Sequence, residues 1–418
     1  MAIKLTRGVV LVLLAITIVV VPILSGCGQN EAKRIQIKIG IMGDYTAASS
    51  GTIVPVVKGM TDCLSYIQKN DPIPGAEIKF VTYDHKNEYA RGTMGYQWLL
   101  GQGAVMMLQT NPFILATYVD KLTGDKMPTY LWSSMKDTVD KDWVFTQAGI
   151  YEWEVESMME WILTKYWNSS QKGRPPKVGF TGPTGFISTV VYGQALRDML
   201  VARPGSFEFV EANHPMGTAA FAVEIGKLKD CDLVILNALG PSNPGFIKEA
   251  RSRGYQGAIV GTGISILGYW DLIKASVSAE LLAAGDIYAI HTQGWWTDPG
   301  SLWASLEPIL REIHPNDWQT YRLGGNWGAG WVTTLIFDDV VRRAVAAVGA
   351  DKVDGAAIWD AVLKIDMTLP GYPESFKMRV GDTGWNVLNR MFIMRQFKAA
   401  QDDWFAITDW FLPPSLRD

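Results

Sequence analysis

The sequence predicts an α/β protein made of two lobes, each organised around a parallel β-sheet with helices on both faces. Strand-like and helix-like segments alternate from residue 35 onward, which is the pattern of repeated βαβ units. The alternation restarts after Gly173-Arg174-Pro175-Pro176, so that it forms two blocks of similar size. With 418 residues, the chain also exceeds the usual size of one hydrophobic core.

The first block begins with an apolar strand that ends before Gly43. A loop of small and polar residues, 44–51, separates this strand from the first helix. Asn111 followed by Pro112 indicates another helix start, because asparagine caps helices well and proline fits the first helical position. The predicted elements are strands at 35–42, 77–84, 104–109 and 127–131 and helices at 52–69 and 91–100.

The second block repeats this order of elements. Its predicted elements are strands at 177–181, 206–211, 232–237 and 258–261 and helices at 189–201, 219–228 and 243–253. A strand at 286–290 and a long helix at 331–348 follow, and each must join one block or the other. The last segments, 376–380, 390–397 and 404–407, again have the composition of strands.

The N-terminus has the pattern of an export signal. Lys4 and Arg7 precede an apolar run over 9–23, which is shorter than the ~20 residues that a membrane span needs. Leu24-Ser25-Gly26-Cys27 closes the run and resembles the bacterial lipobox. That resemblance implies cleavage before Cys27 and a lipid on its sulfur, which would anchor the protein to the outer side of a membrane. A plain signal peptide with an incidental cysteine and an uncleaved signal anchor are the alternatives.

Composition excludes several classes of protein. The formal net charge of −4 gives no reason to expect a nucleic-acid partner. After Cys27, only Cys63 and Cys231 remain, and their places in a first helix and a much later strand argue against a disulfide. The four histidines are far apart and form no metal motif, so we expect neither a metal nor a cofactor.

No catalytic motif is present. The sequence has no Gly-x-Ser-x-Gly elbow, no His-Glu-x-x-His and no Gly-x-x-x-x-Gly-Lys loop, so the chain is not expected to be an enzyme. Gly324-Gly325-Asn326-Trp327-Gly328 is interpreted as a loop before a helix, with phosphate binding as the alternative. Because ligands of open parallel sheets lie beyond the carboxyl ends of the strands, two such lobes face to face would share a ligand cleft.

From about Ile35 to beyond Phe397, the chain resembles the substrate-binding proteins of ABC importers of the branched-chain amino acid type. These have the type I periplasmic binding protein fold, with two Rossmann-like lobes and a hinge of several crossovers that closes like a Venus flytrap. The segments that carry the resemblance, in order, are 37–41 with Tyr45-Thr46 and the Ser-Gly loop, Val191-Tyr192-Gly193-Gln194-Ala195-Leu196, 246–255 ahead of Ile259-Val260-Gly261, and 332–337 with 344–349.

The resemblance also implies where the ligand binds. The implied regions are the first loop, the helix start after the third strand, the residues after the fourth strand, a second-lobe helix and the segment after the strand at 258–261. Trp132 is added as an aromatic wall for an apolar or planar solute. The candidate ligand-binding residues are Tyr45, Ser49, Ser50, Thr110, Asn111, Trp132, Ser133, Ser134, Tyr192 and Thr262.

One departure from the family bears on the ligand. Amino-acid-binding members place an acidic side chain in the last region, where this chain has Val260-Gly261-Thr262-Gly263-Ile264-Ser265 and no acid. A buried ammonium without a carboxylate partner is costly, so leucine, isoleucine and valine are expected to bind poorly. A carboxylate or amide solute is expected instead, with Asp44 and Asp84 as the first candidates should an ammonium prove to be bound.

The family resemblance implies an extracytoplasmic protein that binds a small molecule and delivers it to a membrane permease. The lipobox adds the lipid anchor to this expectation, and we expect the protein to be a monomer. A solute-sensing subunit of a signalling system is the second hypothesis, and an extracytoplasmic enzyme is the third. The predicted organisation is a signal peptide at 1–26, a tether at 27–34, lobe 1 at 35–148 plus 286–365, and lobe 2 at 149–285 plus 366–418.

Overall fold

The computed structural model describes residues 34–378 and 386–417. The predicted signal peptide, Cys27 and all but the last residue of the predicted tether therefore lie outside the described residues. None of the helices in these two ranges is long and apolar enough to cross a membrane. Cys63 and Cys231 are both buried, and they are not joined by a disulfide.

The first lobe is built on a five-stranded parallel sheet with the strand order β2-β1-β3-β4-β5. The interior strand β1 is buried over most of its length, as expected for a sheet covered on both faces. The strands are β1 (Ile35–Gly43), β2 (Ala76–Asp84), β3 (Ala104–Gln109), β4 (Thr129–Leu131) and β5 (Val144–Phe145).

The helices of this lobe connect successive strands. Buried residues recur every three or four positions along the longest one, which packs this face against the sheet and a later helix. These helices are α1 (Ser50–Asn70), α2 (Ala90–Gly101), α3 (Pro112–Leu115), α4 (Leu122–Asp125) and α5 (Lys136–Val139), with a 3₁₀ turn at Val119–Lys121.

The second lobe is built on a seven-stranded sheet with the order β14-β13-β10-β9-β8-β6-β7. Strands β6 to β10 are parallel, and the last two strands of the sheet extend it in antiparallel fashion. The strands are β6 (Lys177–Thr181), β7 (Glu208–Glu211), β8 (Leu233–Leu236), β9 (Ala258–Gly261), β10 (Ile287–His291), β13 (Ile393–Lys398) and β14 (Asp403–Ala406), while β11 (Asp366–Met367) and β12 (Phe376–Lys377) form a separate pair.

Helices of the second lobe follow the same pattern, with two π-helical turns at Ile162–Tyr166 and Ser188–Gly193. The second of these π turns forms the start of the helix predicted at 189–201. The helices are α6 (Tyr151–Trp161), α7 (Ser169–Lys172), α8 (Gln194–Ala202), α9 (Ala222–Leu228), α10 (Ser242–Ser252), α11 (Trp270–Ser276) and α12 (Ala279–Ala283), with a 3₁₀ turn at Leu267–Tyr269 before α11.

A helical segment follows β10 and returns to the first lobe, where its longest helix packs on α1. It contains α13 (Leu302–Ile313), α14 (Trp318–Gly324), α15 (Asn326–Val348) and α16 (Gly355–Val362), with 3₁₀ turns at Ala350–Lys352 and, near the C-terminus, Pro414–Leu416. Gly325, at φ +64°, separates α14 from α15. The prediction of a loop over 324–328 is wrong for the other residues of this segment, because Gly324 ends α14 and Asn326-Trp327-Gly328 form the first turn of α15.

Within the described residues, the chain passes between the two sheets three times. The first passage follows β5, the second follows β10, and the third precedes β13. The first and third run side by side, because Leu388 N–H donates to the Thr146 carbonyl at 2.8 Å. This arrangement is the predicted two-lobed fold with a hinge of several crossovers.

One strand differs from the predicted division of the chain. The boundary at residue 286 assigns the following strand to lobe 1, but β10 pairs in parallel with β9 in the second sheet. The chain therefore leaves the second lobe after His291. The apolar sequence of β10 suits a buried strand in either sheet, so its composition does not indicate which one it joins.

Candidate ligand-binding cavity

A cavity of about 120 Å³ lies between the two lobes, where the carboxyl ends of both sheets meet. Its walls come from the residues that follow β3, β4, β8, β9 and β10 and from the starts of α1 and α6. The volume is close to the ~150 Å³ of an engineered apolar cavity that admits benzene, so there is room for a small organic molecule. The strand order of the first sheet reverses at β1 and β3, which is where open α/β sheets bind ligands.

The lobes also touch at the rim of this cavity. The Tyr269 hydroxyl of the second lobe donates to the Ala48 carbonyl of the first lobe at 3.3 Å. The Asn326 side chain at the start of α15 donates to the Gly268 carbonyl at 2.6 Å. The two lobes are therefore in contact across the mouth of the cavity, as a closed clamp requires.

A network of amides and hydroxyls forms part of the first-lobe wall. Asn111 Nδ2 donates to Asn87 Oδ1 at 3.1 Å, and Asn87 Nδ2 donates to Ser49 Oγ at 2.8 Å and to Asp44 Oδ2 at 2.6 Å. Asp44 also accepts two backbone N–H groups of its own loop, from Ala47 and Ser49, both at 2.7 Å. These bonds hold the loop in one conformation, and the donors to the Asp44 carboxylate come from the protein itself.

The helix start at Asn111 is capped as the sequence predicts, with its side-chain oxygen accepting from Phe113 N–H at 2.9 Å. The Asn111 N–H in turn donates to Gln109 Oε1 at 3.0 Å. The backbone N–H groups of Asn111 and Phe113 at this helix start therefore donate to the protein itself. Asn111 contributes its side chain, rather than these backbone donors, to the cavity wall.

The residues after β4 form the next part of the wall. Trp132 is half-buried and borders the cavity, while Ser133 and Ser134 are buried beside it. The side chain of Tyr151 hydrogen-bonds that of Ser133, and its N–H donates to the Ser134 carbonyl at 3.0 Å. Because Tyr151 begins α6, this contact ties the first-lobe wall to the first helix of the second lobe.

A buried acid, Glu154, lies in the second-lobe wall. Its side chain accepts the hydroxyl of Tyr192 on one carboxylate oxygen and Gly263 N–H at 3.3 Å on the other. Burial raises the pKa of Glu154 to about 7, against the opposing effect of these two hydrogen bonds. Burial and the neighbouring carboxylate also raise the pKa of the Tyr192 phenol, which therefore stays a donor at neutral pH.

The segment after β9 is compact. Thr262 N–H donates to Ser265 Oγ at 2.9 Å, and Ser265 Oγ donates to the Leu236 carbonyl at 2.8 Å, which fixes the turn on the sheet. A Cβ atom built on Gly263 would lie 2.5 Å from Cδ2 of His291, too close for any side chain. An acid therefore does not fit at position 263, and the Glu154 carboxylate reaches this segment from α6 instead.

His291 and Trp295 complete the second-lobe wall. Burial and the nearby Arg395 guanidinium lower the pKa of His291 to about 3, so this ring is neutral at physiological pH. The Trp295 indole N–H donates to Asp403 at 3.0 Å and its backbone N–H donates to Asp298 at 2.8 Å. One carboxylate thus holds the indole ring and the other holds the backbone of Trp295.

The structure brings most of the predicted site residues to one place. The residues that line the cavity are Ser49, Thr110, Asn111, Trp132, Ser133, Ser134, Tyr192 and Thr262. Tyr45 and Ser50 lie outside this lining: the Tyr45 hydroxyl donates back to the Ile41 carbonyl at 3.4 Å, and Ser50 Oγ donates to the Ala47 carbonyl at 2.7 Å. Both side chains therefore bond to their own strand or loop. The neighbouring residues in the sequence do not predict this orientation.

Sequence reasoning missed several lining residues, among them Asn87, Tyr151, Glu154, Asn237 and His291. Of these, Glu154 had a detectable signal. It lies three residues after Tyr151 and four before Met158, so it falls on the apolar face of a helix, where an unpaired acid is unusual. Asp44 and Asp84, the acids considered first, lie outside the lining.

Comparisons with known proteins agree with this architecture. A family model described as periplasmic binding protein matches residues 36–396. A search among curated proteins found no significant match. Solved structures with the same fold include a fatty acid ABC transporter substrate-binding protein from Thermomonospora curvata, which is 14% identical over 93% of this chain and 97% of its own, with a TM-score of 0.73.

Two further structures carry bound ligands. A branched-chain amino acid ABC transporter protein from Thermus thermophilus with bound valine is 13% identical over 92% of this chain and 98% of its own, with a TM-score of 0.72. A solute-binding protein of an ABC transporter from R. palustris in complex with benzoate is 16% identical over 90% of this chain and 97% of its own, with a TM-score of 0.68. At these identities, the likeness shows the fold.

Proposed function

This chain belongs to the periplasmic binding protein family, and from that premise we propose that it captures a small organic solute between its lobes and delivers it to an ABC importer. The family consists of extracytoplasmic solute-binding components of transporters rather than enzymes. The observation that carries the proposal is the cavity at the carboxyl ends of both sheets, with polar groups from both lobes in its walls.

The proposed solute carries a carboxylate or an amide. Buried hydroxyls and amides line the first-lobe wall, including those of Thr110, Ser133 and Ser134, and such groups donate hydrogen bonds to carboxylate oxygens. The ligands named for the three similar structures, a fatty acid, valine and benzoate, all carry a carboxylate. The half-buried Trp132 offers an apolar surface for the remainder of the solute.

The proposal is tested by capture of a solute. The purified protein should bind one molecule of a small carboxylate or amide in native mass spectrometry, and the same solute should raise its melting temperature. A solute that binds only the folded protein stabilises it by about 2.7 kcal/mol at a hundredfold its dissociation constant. No mass increase and no thermal shift across amino acids, amides, aliphatic acids and aromatic acids at millimolar concentration would contradict the proposal.

The proposed anchor of the protein is a lipid on Cys27, since Leu24-Ser25-Gly26-Cys27 closes an apolar run. Cys27→Ala should release the protein from the membrane fraction or leave the precursor uncleaved, because the sulfur that would carry the lipid is gone. Fractionation and intact-mass measurement check this. Ser25→Ala keeps the cysteine and is the matched control. Normal processing and membrane association of the Cys27→Ala protein would exclude the lipid anchor.

A further inference from the structure

Within the described part of the chain, the buried Glu154 carboxylate has no cationic partner in the cavity wall. Among the described residues, the lining contains no lysine or arginine. The guanidinium of Arg395, near His291, is paired with Asp298 at 2.6 and 2.7 Å. Buried charges in proteins are normally paired, so the ionised form of this acid lacks a positive counter-charge.

Glu154 also keeps acceptor capacity for a ligand. An ionised carboxylate can accept about four hydrogen bonds on its two oxygens. In this protein each Glu154 oxygen accepts one, from the Tyr192 hydroxyl and from Gly263 N–H respectively. The residue is 8% exposed and lines the cavity, so its remaining positions are enclosed with the ligand. Both protein donors orient the carboxylate, and neither neutralises its charge.

The two walls of the cavity therefore differ in chemistry. The first-lobe wall presents the buried hydroxyls of Thr110, Ser133 and Ser134, whereas the second-lobe wall presents the Glu154 carboxylate. A solute that is only an anion would meet no positive side chain in the lining and would lie beside an acid. A zwitterion satisfies both walls at once, with its carboxylate toward the hydroxyls and its ammonium toward Glu154.

We propose that Glu154 binds a protonated amino group of the solute, so that the solute is an amino acid bound as its zwitterion. This inference rests on the proposed capture function and names its solute class. It replaces the sequence-based expectation of a ligand without an ammonium, because that expectation considered only the segment after β9 and two acids of the first lobe. The carboxylate comes instead from the first turn of α6.

This inference predicts whether solute binding releases or takes up protons, which can be measured. The titratable side chains around Glu154 are Tyr151 and Glu152 on its own helix, Tyr192 on the π turn and His291 at the end of β10. Burial raises the pKa of both tyrosines, while the pKa of His291 is about 3, so these three stay neutral between pH 6 and 8. Glu152 lies outside the lining and accepts Lys136 N–H at 3.2 Å.

Burial raises the pKa of Glu154 to about 7, so part of the unliganded protein carries the protonated acid near neutral pH. An ammonium favours the ionised form, so binding should release protons, and more of them at pH 6 than at pH 8. The affinity should therefore rise from pH 6 to pH 8. A solute that is only an anion favours the protonated form of Glu154. Its binding should therefore take up protons, and its affinity should fall from pH 6 to pH 8.

The experiment is isothermal titration calorimetry of the proteinogenic amino acids, each beside the carboxylic acid or amide that lacks its amino group, in buffers of different ionisation enthalpy. At least one amino acid should bind with proton release, and its des-amino analogue should bind at least tenfold more weakly. Glu154→Gln should lower the affinity for that amino acid by about ten- to a hundredfold and abolish the proton release. Glu156→Gln, on the same helix but outside the cavity, is the matched control and should change neither.

Tyr192→Phe provides a second readout that does not depend on removing the acid. It deletes a hydrogen bond that favours the ionised carboxylate, so the pH at which affinity rises should move upward. Binding of des-amino acids or amides alone, proton uptake on binding, or an unchanged affinity in Glu154→Gln would overturn the inference and leave the capture function intact. Failure of every solute to bind would instead count against the capture function itself.

Discussion

Replacing Asp298 with alanine should lower the free energy of unfolding by about 3–5 kcal/mol, because it leaves a buried guanidinium without its counter-charge. Arg395 on β13 is fully buried and donates to both carboxylate oxygens of Asp298, at 2.7 and 2.6 Å. The same carboxylate accepts Trp295 N–H at 2.8 Å, so its loss should also loosen a wall of the cavity. Urea denaturation measures the stability change.

Two variants separate this effect from a general loss of an aspartate. Asp360→Ala, at an exposed position of α16, should change stability by no more than about 0.5 kcal/mol. Combining Asp298→Ala with Arg395→Met removes both charges, and the double variant should be more stable than Asp298→Ala alone. A single variant as stable as the parent protein would show that the pair contributes little to folding.

Gly330→Ala should destabilise the protein by about 3 kcal/mol, at the upper end of the range for overpacking a core. Helices α1 and α15 cross with their backbones in contact, and a Cβ atom on Gly330 would lie 2.0 Å from the Val56 carbonyl oxygen. Gly59 makes the reciprocal approach, since its Cβ atom would lie 2.0 Å from the Trp327 carbonyl oxygen. Backbone atoms on both sides leave no flexible side chain to move, so the helices must separate.

The control for this prediction is another helical glycine. Gly226 in α9 is exposed, and a Cβ atom there would meet nothing within 4 Å. Gly226→Ala should therefore stabilise the protein by about 0.5–1 kcal/mol, because alanine loses less backbone entropy on folding. Thermal and urea denaturation of the two variants should move in opposite directions. Equal stability of both would contradict the backbone contact between α1 and α15.

The two-lobed fold could be predicted because buried parallel strands and amphipathic helices leave strong local patterns. The strands at 104–109, 177–181 and 258–261 coincide with β3, β6 and β9. Helices α6, α13 and α14 were not predicted, although the buried Leu302, Leu306 and Leu310 of α13 have the spacing of an amphipathic helix. The sheet that receives β10 was also missed, since pairing between distant strands has no local signal.

The sequence predicted those site residues whose position follows from their place directly after a strand. Residues directly after β3, β4 and β9 reach the cavity because the carboxyl ends of parallel strands meet there. Side-chain direction within a loop follows from hydrogen bonds that the sequence does not display, which is why Tyr45 and Ser50 lie outside the lining. The sequence marks Glu154 only as an acid on an apolar helix face, and its place in the cavity follows from the crossover after β5, which brings the first turn of α6 against Gly263.

Closure of the two lobes on a solute is tested most directly by small-angle X-ray scattering. The radius of gyration should decrease when the solute identified by calorimetry saturates the protein, since the rim contact between Tyr269 and Ala48 forms only when the lobes meet. A des-amino analogue that does not bind should leave the radius unchanged at the same concentration. An unchanged radius at full saturation with a bound solute would contradict the account of a clamp that closes around its ligand.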